Sequence, residues 1–528
     1  MDERMGEKMD RKTTGKMEGE IKGKIGSSIS REAVMQADGV TFPGISFQEN
    51  SLKPIFDLQK VYYYRIFIEI TKAHVVMLHE QNLMSSQEAQ IILSSMLELE
   101  KLPIEESEYN PQYEDLFFMF EKELENRIGS DLAGKVHTAR SRNDICVGEF
   151  RMVQRDQLLD LGERLNRFRE ALLYVAGQNL DTVMPMYTHT QPAQPSTLGH
   201  YLLSMADVSA RDFTRLMAAY DTINLSPFGA AAITTTGFPI SRERVCELLG
   251  FDRLCENSYD SIAASDHMTQ FAGAMMQMAV NLSRFMKDVL DWCTVEFGFF
   301  RLTDPYVQIS SIMPQKRNPS SLEHCRPILG KALAEAQAVF TVQHNTPYGD
   351  IVDSEEDLQI HLYDAVSYLS RALSIMANVI STMEINKDLL KKRAGENFIT
   401  ATELADTFVR ECGLTFRNAH RLTSAIVRRL YKEGKTAADI TQSFCEEISQ
   451  EVLGRQVELT QELIATALDP VHFVAIRNRT GGPAPDEAAR MHRERTESLL
   501  DDERRLCSLR DDIRLAHEKL EGEVKKRV

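Results

Sequence analysis

The chain has eight cysteines among 528 residues and not one Cys-x-x-Cys pair. A disulfide framework or a zinc ribbon is therefore not expected, and reduced thiols in the cytoplasm fit the spacing best. Long apolar runs are missing too, so no segment offers the ~20 consecutive apolar residues of a membrane-spanning helix. Basic charge is in deficit: 61 Lys and Arg stand against 78 Asp and Glu, a formal net charge of -17. That leaves no general positive field for nucleic acid, although a local cationic pocket for an acidic substrate remains open. Strict alternation of apolar and polar residues is scarce, which argues against much sheet. The N-terminal stretch, "MDERMGEKMDRKTTGKMEGEIKGKIGSS", lacks an apolar segment, so it reads as a solvated tail rather than a signal peptide.

Helical periodicity is what the chain has in quantity. With 43% hydrophobic and 26% charged residues it has enough apolar material for a large core. Ser85 and Glu88 form a capping-box pattern ahead of "AQIILSSMLELE". Further on, Leu158, Leu161, Leu165, Phe168 and Leu172 recur at helical spacing, one face of a long helix. Residues 264–297 read as a helix that is apolar around much of its circumference, which calls for burial in a bundle or a subunit interface. Two more helices are predicted over about 320–345 and 355–383. The predicted fold class is all-α. A disordered tail (1–40) precedes a helical N-terminal domain (41–150), a central long-helix bundle (151–395) and a smaller C-terminal helical domain (396–528).

Three segments interrupt the helices with concentrated polar chemistry. They are "HTARSRND" (137–144), "YTHTQPAQP" (187–195) and "ISSIMPQKRNPSSLE" (309–323). Each alone has a bland reading: a capped helix start, a Thr188 N-cap, a polar surface connection. Together their inventory is pointed. Arg142, Asn143, Thr188, Gln191, Lys316 and Asn318 are donors suited to carboxylates. Ser310 and Ser311 offer hydroxyls, His189 a titratable ring and Glu323 a carboxylate that could orient it. If they converge, the pocket binds a dicarboxylate and moves protons.

The three segments resemble the signature regions of the aspartase/fumarase superfamily, and within it the argininosuccinate lyase family. Thr-x-Arg-Ser-Arg-Asn-Asp is found as 138–144, Thr-His-x-Gln-x-Ala-Gln-Pro as 188–195, and Ser-Ser-x-Met-Pro-x-Lys-x-Asn-Pro as 310–319. "NLSPFGAAAITTTGFPISRE" (224–243) and "TATELADTFVRECGLTFRNAH" (400–420) extend the likeness. The resemblance implies a homotetramer whose long helices form one bundle, with each active site shared by three subunits. It implies β-elimination of fumarate from an N-substituted L-aspartate, without metal or organic cofactor. By the same resemblance Ser310 is the base, and Lys316 and Asn318 hold the dicarboxylate beside Ser311. Arg142, Asn143 and Thr188 bind the fumarate portion, and His189 pairs with Glu323. Gln359 belongs to the amino-acid side.

Four departures accompany the likeness. The Gly that usually opens the third region is Ile309. The Gln after Arg-Asn-Asp is Ile145. The His of Glu-Asp-x-His is Phe117, after Glu114 and Asp115. Tyr-Asn-Lys-Asp-Leu-Gln-Glu-Asp-Lys appears as "SEEDLQIHL" (354–362), with Ser354 for the Tyr and Leu362 for the last Lys. Three expectations follow: an argininosuccinate lyase, a lyase for another N-succinyl amine of the ethylenediamine disuccinate type, or a non-catalytic crystallin-like paralogue. A diamine or polyamine conjugate drawn to Asp353, Glu355 and Glu356 is one form of the second, although such acids also suit a solvated helix start.

Overall fold

Five long helices close into a ring in the computed structural model, which describes residues 29–528. They are α1 (Arg142–Gly177), α2 (Leu198–Ile223), α3 (Asp266–Trp292), α4 (Ser320–Gln343) and α5 (Glu356–Thr382). Around the ring α1 packs on α2, α2 on α3, α3 on α4, α4 on α5, and α5 again on α1. Leu158, Leu165, Phe168 and Leu172 of α1 meet Phe213, Phe271, Leu282, Leu329 and Leu369 in one core, as the spacing predicts. With 36 residues α1 is about 54 Å long, so the ends of the ring are far apart.

The helix predicted over 264–297 differs from expectation. It runs Asp266–Trp292 and buries Phe271, Met275, Met278, Leu282 and Phe285 within the ring. Its outer stripe shows Gln270, Gln277, Val280 and Arg284, so it is amphipathic rather than apolar all round. Its composition alone therefore demands no subunit partner.

A second core lies beside the start of α1. Helices Tyr64–Glu80, Ser86–Leu99 and Leu116–Ile128 supply Phe67, Val76, Ile92, Leu93 and Phe120. Ser85 accepts the Glu88 N–H and the Glu88 carboxylate returns to the Ser85 N–H, the expected capping box. Of the stretch 1–40, read as a disordered tail, residues 1–28 lie outside the described residues. Arg31–Asp38 is a helix instead, capped by Ser30.

A third core, with Leu404, Phe408, Leu422, Ile426, Cys445 and Ile464, belongs to the helices between Ala401 and Leu468. The C-terminal unit expected over 396–528 stops there. Its last helix, α6 (Pro485–Lys525), returns along the outside of α1 and α2. Ala488, Met491, Leu499 and Leu506 join the ring core, whereas Leu520 and Val524 join the N-terminal core. Asp502 meets Arg169 at 2.6 Å and Glu521 meets Lys72 at 2.9 Å. This highly charged helix carries only a narrow apolar seam, too sparse to announce which core it covers. Strands are few and come in two-stranded pairs. No helix among the described residues is long and apolar enough to cross a membrane.

Candidate active site

The first polar region forms the start of α1. Ser141 caps the helix through its hydroxyl, and its own N–H donates to Asp144 at 2.9 Å. The other Asp144 oxygen accepts the N–H groups of Gly229 and Ala231 at 3.0 and 3.1 Å. These contacts join the 224–243 motif to the first. The approach is close because residue 148 is glycine: a Cβ there would lie 2.2 Å from the Phe228 ring. Burial outweighs the three N–H donors and pushes the Asp144 carboxyl up to about 6.

Arg142 and Asn143 lie half-buried on the same first turn. The Arg142 guanidinium lies 2.5 Å from Asp115 and 3.4 Å from Glu114, over the rings of Phe117 and Phe118. Phe117 thus turns a position where the family has His into a cation–π partner. Asn143 donates to Asp350 at 2.8 Å and to the Ala232 carbonyl at 3.2 Å.

The second region is a β-hairpin, β1 (Val183–Thr188) and β2 (Gln191–Thr197). Its prolines hid this from the sequence, because Pro normally argues against a strand. Thr188 pairs with Gln191, so His189 and Thr190 alone make the turn. Both have positive φ, 50° and 63°, which suits a two-residue hairpin turn but strains a β-branched Thr. Strain of this kind persists where surrounding structure enforces it, often at functional sites. Thr188, His189 and Gln191 are exposed at the tip.

The third region is also a short hairpin. Gln308–Ile309 pairs with Arg317–Asn318, and α4 begins at Ser320. Arg317 fastens its base, 2.7 Å from Asp304 and donating to the Leu302 carbonyl at 3.0 Å. Ser321 donates to the Tyr306 carbonyl at 2.9 Å. The tip projects: Ile309 and Ile312 are 80% and 83% exposed. Where the loop leaves the first strand, the Ser310 hydroxyl oxygen accepts two backbone N–H groups, from Ile312 at 3.3 Å and Met313 at 3.0 Å. Donors aimed at that oxygen are what an alkoxide needs. Ser311, Lys316 and Glu323 are exposed, and Asn318 is half-buried on its strand.

These regions do not meet in one chain. Among the described residues, no hydrogen bond or ion pair joins a side chain of one region to a side chain of another. His189 and Glu323 in particular do not pair. Topology gives the reason. Region one opens α1 at one end of the ring, where the Asp350 loop bonded to Asn143 also lies. Regions two and three follow α1 and α3 at the opposite end, where Phe297, on the segment leading from α3 toward region three, packs its ring 5.8 Å from that of Tyr187. The helices between, of 24 to 36 residues, span roughly 36–54 Å.

Gln359 needs correction. It is fully buried, accepting from Gln154 at 2.7 Å and donating to the Met268 sulfur and the Ser354 carbonyl at 3.0 and 3.2 Å. Gln154 in turn meets His267 at 2.8 Å. With three of its four hydrogen-bonding positions used and no exposed surface, Gln359 braces the ring interior rather than lining a binding face. Leu362 is likewise fully buried.

Beside Arg142 lies a group the motif reading missed. Arg142, Cys146 and Glu149 stand at i, i+4 and i+7, on one face of α1. Glu149 is 7% exposed and has no hydrogen-bond partner among the described residues. Burial pushes its carboxyl well up, and the charges of Glu356 and Asp115 add to this. Glu356, also 7% exposed, accepts from Gln59 at 2.7 Å. Glu355 is pushed up to about 7 by burial and then by Glu356 and Asp350. Arg142 is the cation that each of these acids feels. On the far side the buried hydroxyls of Tyr63 and Tyr363 share a 2.8 Å hydrogen bond. The helical spacing from Arg142 could have pointed to Glu149; nothing in the sequence pointed to Tyr63. No group of three or more His, Cys, Asp or Glu among the described residues is placed to hold a metal ion.

Comparison with known proteins agrees with this architecture. The family described as "Lyase" matches residues 51–333, and "Argininosuccinate lyase C-terminal" matches 398–475. The chain is 40% identical over 454 residues to "Argininosuccinate lyase 2" of Agrobacterium fabrum, covering 85% of this chain and 90% of that protein. It is 36% identical over 456 residues to the argininosuccinate lyase of Methanosarcina barkeri, covering 86% and 91%. Among solved structures, EDDS lyase in complex with formate superposes with a TM-score of 0.83 at 32% identity, over 89% of this chain and 95% of that one. The all-α ring, the ordered motifs and these matches define a carbon–nitrogen lyase, and the chain belongs to the argininosuccinate lyase family of the fumarase/aspartase superfamily.

Proposed function

We propose that the protein releases fumarate from an N-substituted L-aspartate, with Ser310 as the base, in a site assembled from several copies of the chain. The observation that carries this is the Ser310 hydroxyl, where the loop of a projecting hairpin leaves its first strand, with two backbone N–H groups directed at its oxygen. The Ser310 alkoxide takes the Cβ proton of the succinyl group. The electron pair of that C–H bond forms the double bond as the C–N bond breaks, and the nitrogen leaves with its pair and gains a proton. The negative charge that builds on the neighbouring carboxylate meets Lys316 and Asn318, with Arg142, Asn143 and Thr188 on the other carboxylate. Ser311 binds beside Ser310, and His189 and Glu323 pair across copies.

Assembly follows from the separation of the regions. Donors at opposite ends of a ring roughly 36–54 Å long meet only when a second copy lies antiparallel to the first. A homotetramer is the arrangement that fits both this requirement and the family, and the cytoplasm is its natural setting; arginine biosynthesis is its place if argininosuccinate is the substrate.

Argininosuccinate is the first substrate to test, because the similar curated proteins carry that name. One observation favours a different amine: the position of the family's last Lys is Leu362, sealed in the core. Loss of a charge-assisted contact is worth about 1.5–3 kcal/mol. The EDDS lyase likeness supports the same direction. A non-catalytic paralogue would have no reason to keep Ser310 beside Lys316. The deciding experiment follows fumarate release from argininosuccinate and other N-substituted aspartates, using wild type and Ser310→Ala. Release by wild type and at least a ~10²-fold lower kcat in the variant are expected. Equal kcat would remove Ser310 from the mechanism.

A further inference from the structure

The proposed reaction leaves the amine half of the substrate undefined, and the acids beside Arg142 bear on it. Glu114, Asp115, Glu149, Asp350, Glu355 and Glu356 crowd the end of the ring where region one lies. Asp115 and Glu114 are answered by Arg142, and Asp350 by the Asn143 amide. Glu356 has only a neutral partner, Gln59. Glu149 has none among the described residues, although it is 93% buried and lies on the Arg142 face of its helix. A buried carboxylate without a partner is costly, and the cost falls when a cation arrives.

The comparison with the family motif sharpens the sign. Across 354–362, Glu355 stands where the family has Asn and Glu356 where it has Lys. Leu362 replaces the final Lys. At 356, the motif position that lies among these acids, a cation is therefore gone, and two acids have come in. A leaving group with a carboxylate at its far end meets repulsion here, whereas one ending in a bare ammonium meets attraction. The acids are not grouped three to a metal ion among the described residues. They are spread over the Glu114–Asp115 segment, α1 at Glu149, the Asp350 loop and the start of α5, as an extended organic cation requires.

We propose that the amine released with fumarate is a diamine or polyamine, whose second, protonated nitrogen is received by Glu149, Glu355 and Glu356. This rests on the fumarate-releasing lyase reading and names its substrate class. Glu149 and Glu356 determine specificity at depth, and half-buried Glu355 receives the cation at the entrance. Tyr63 and Tyr363 lie close to Glu149 and Glu356, their hydroxyls already committed to each other.

The reaction run backwards provides the test. The full-length assembled protein is given fumarate with butane-1,4-diamine, with butan-1-amine, or with arginine. Loss of fumarate absorbance and the mass of the adduct are followed. The diamine is expected to add about 10- to 150-fold faster than the monoamine, the range of one buried charge-assisted contact, and faster than arginine. Glu149→Gln and Glu355→Gln should each shrink the diamine-to-monoamine ratio. Should the buried variant fail to fold, half-buried Glu355→Gln carries that arm. Equal rates for diamine and monoamine, or a preference for arginine, overturn the proposal while leaving the lyase reading intact. No adduct with any amine, together with no fumarate from any N-substituted aspartate, overturns both.

Discussion

The two ends of the helical ring are built on opposite principles. At the α1 end, Asp144, Asn143 and Arg142 are tied down by named partners, and Glu149 and Glu356 are sunk below the surface. At the other end the hairpin tip and the third region project, with Thr188, His189, Ser311, Lys316 and Glu323 exposed. One end is preorganised and rich in acid; the other carries exposed donors and Ser310, the proposed base. On the proposed assembly neither is a site alone. A lid that must close over substrate has to come from the less stable end, while the end that fixes orientation gains from rigidity.

The largest effect should come from breaking the exposed end. Ser310→Ala should lower kcat by at least ~10²-fold while leaving fumarate binding by calorimetry within about 3-fold, since it removes a role confined to the transition state. A matching loss of affinity would assign Ser310 to binding instead.

Mixing the ends tests the assembly. Ser310→Ala and Arg142→Ala should each be inactive. If a site takes Arg142 from one copy and Ser310 from another, hybrids made by denaturing and refolding both together regain about a quarter of wild-type activity, because both contributors are intact in one site of four. Hybrids as dead as their parents would place both residues in one chain's own site.

Asp144 tests the rigidity of the first end. Asp144→Ala leaves the N–H groups of Ser141, Gly229 and Ala231 without their acceptor, and a stability loss of about 2–4 kcal/mol in urea unfolding is expected. A change below about 0.5 kcal/mol would mean that water replaces the carboxylate at no cost.

The smallest effect is the most specific. Glu355 is held near 7, above its ordinary range, so folding favours its protonated form. Its contribution is complete below about pH 4.5 and is lost as pH rises through about 7. Glu355→Gln should therefore raise Tm by about 1–3 °C at pH 8 and change it little at pH 4, after allowance for its partial exposure. A shift of the same size at both pH values would point to packing rather than charge.

Much of this was legible in the residues. The spacing of Leu158, Leu161, Leu165 and Phe168 fixes a helix face because side chains three and four apart must share one side. Ser85 with Glu88 marks a helix start for an equally local reason. The three polar regions stood out because their donors have no use inside a helix. The hairpin of the second region was not legible, since its prolines argue against strands and only the pairing across His189 and Thr190 overrides them. Gln359 looked like a ligand because its motif neighbours do, but burial between Gln154 and Met268 gives it another task.

By itself the sequence determined the helical class, the family and the inventory of donors, hydroxyls and acids, because each depends on residues close along the chain. Which end of the ring each motif occupies was decided only by tertiary structure, because helix direction and packing order depend on contacts between residues far apart in the chain. That packing returned α6 to the ring, sealed Gln359 and Leu362, and left Glu149 buried with no hydrogen-bond partner among the described residues. It also set the donors of region one roughly 36–54 Å from those of regions two and three, a distance no local pattern encodes.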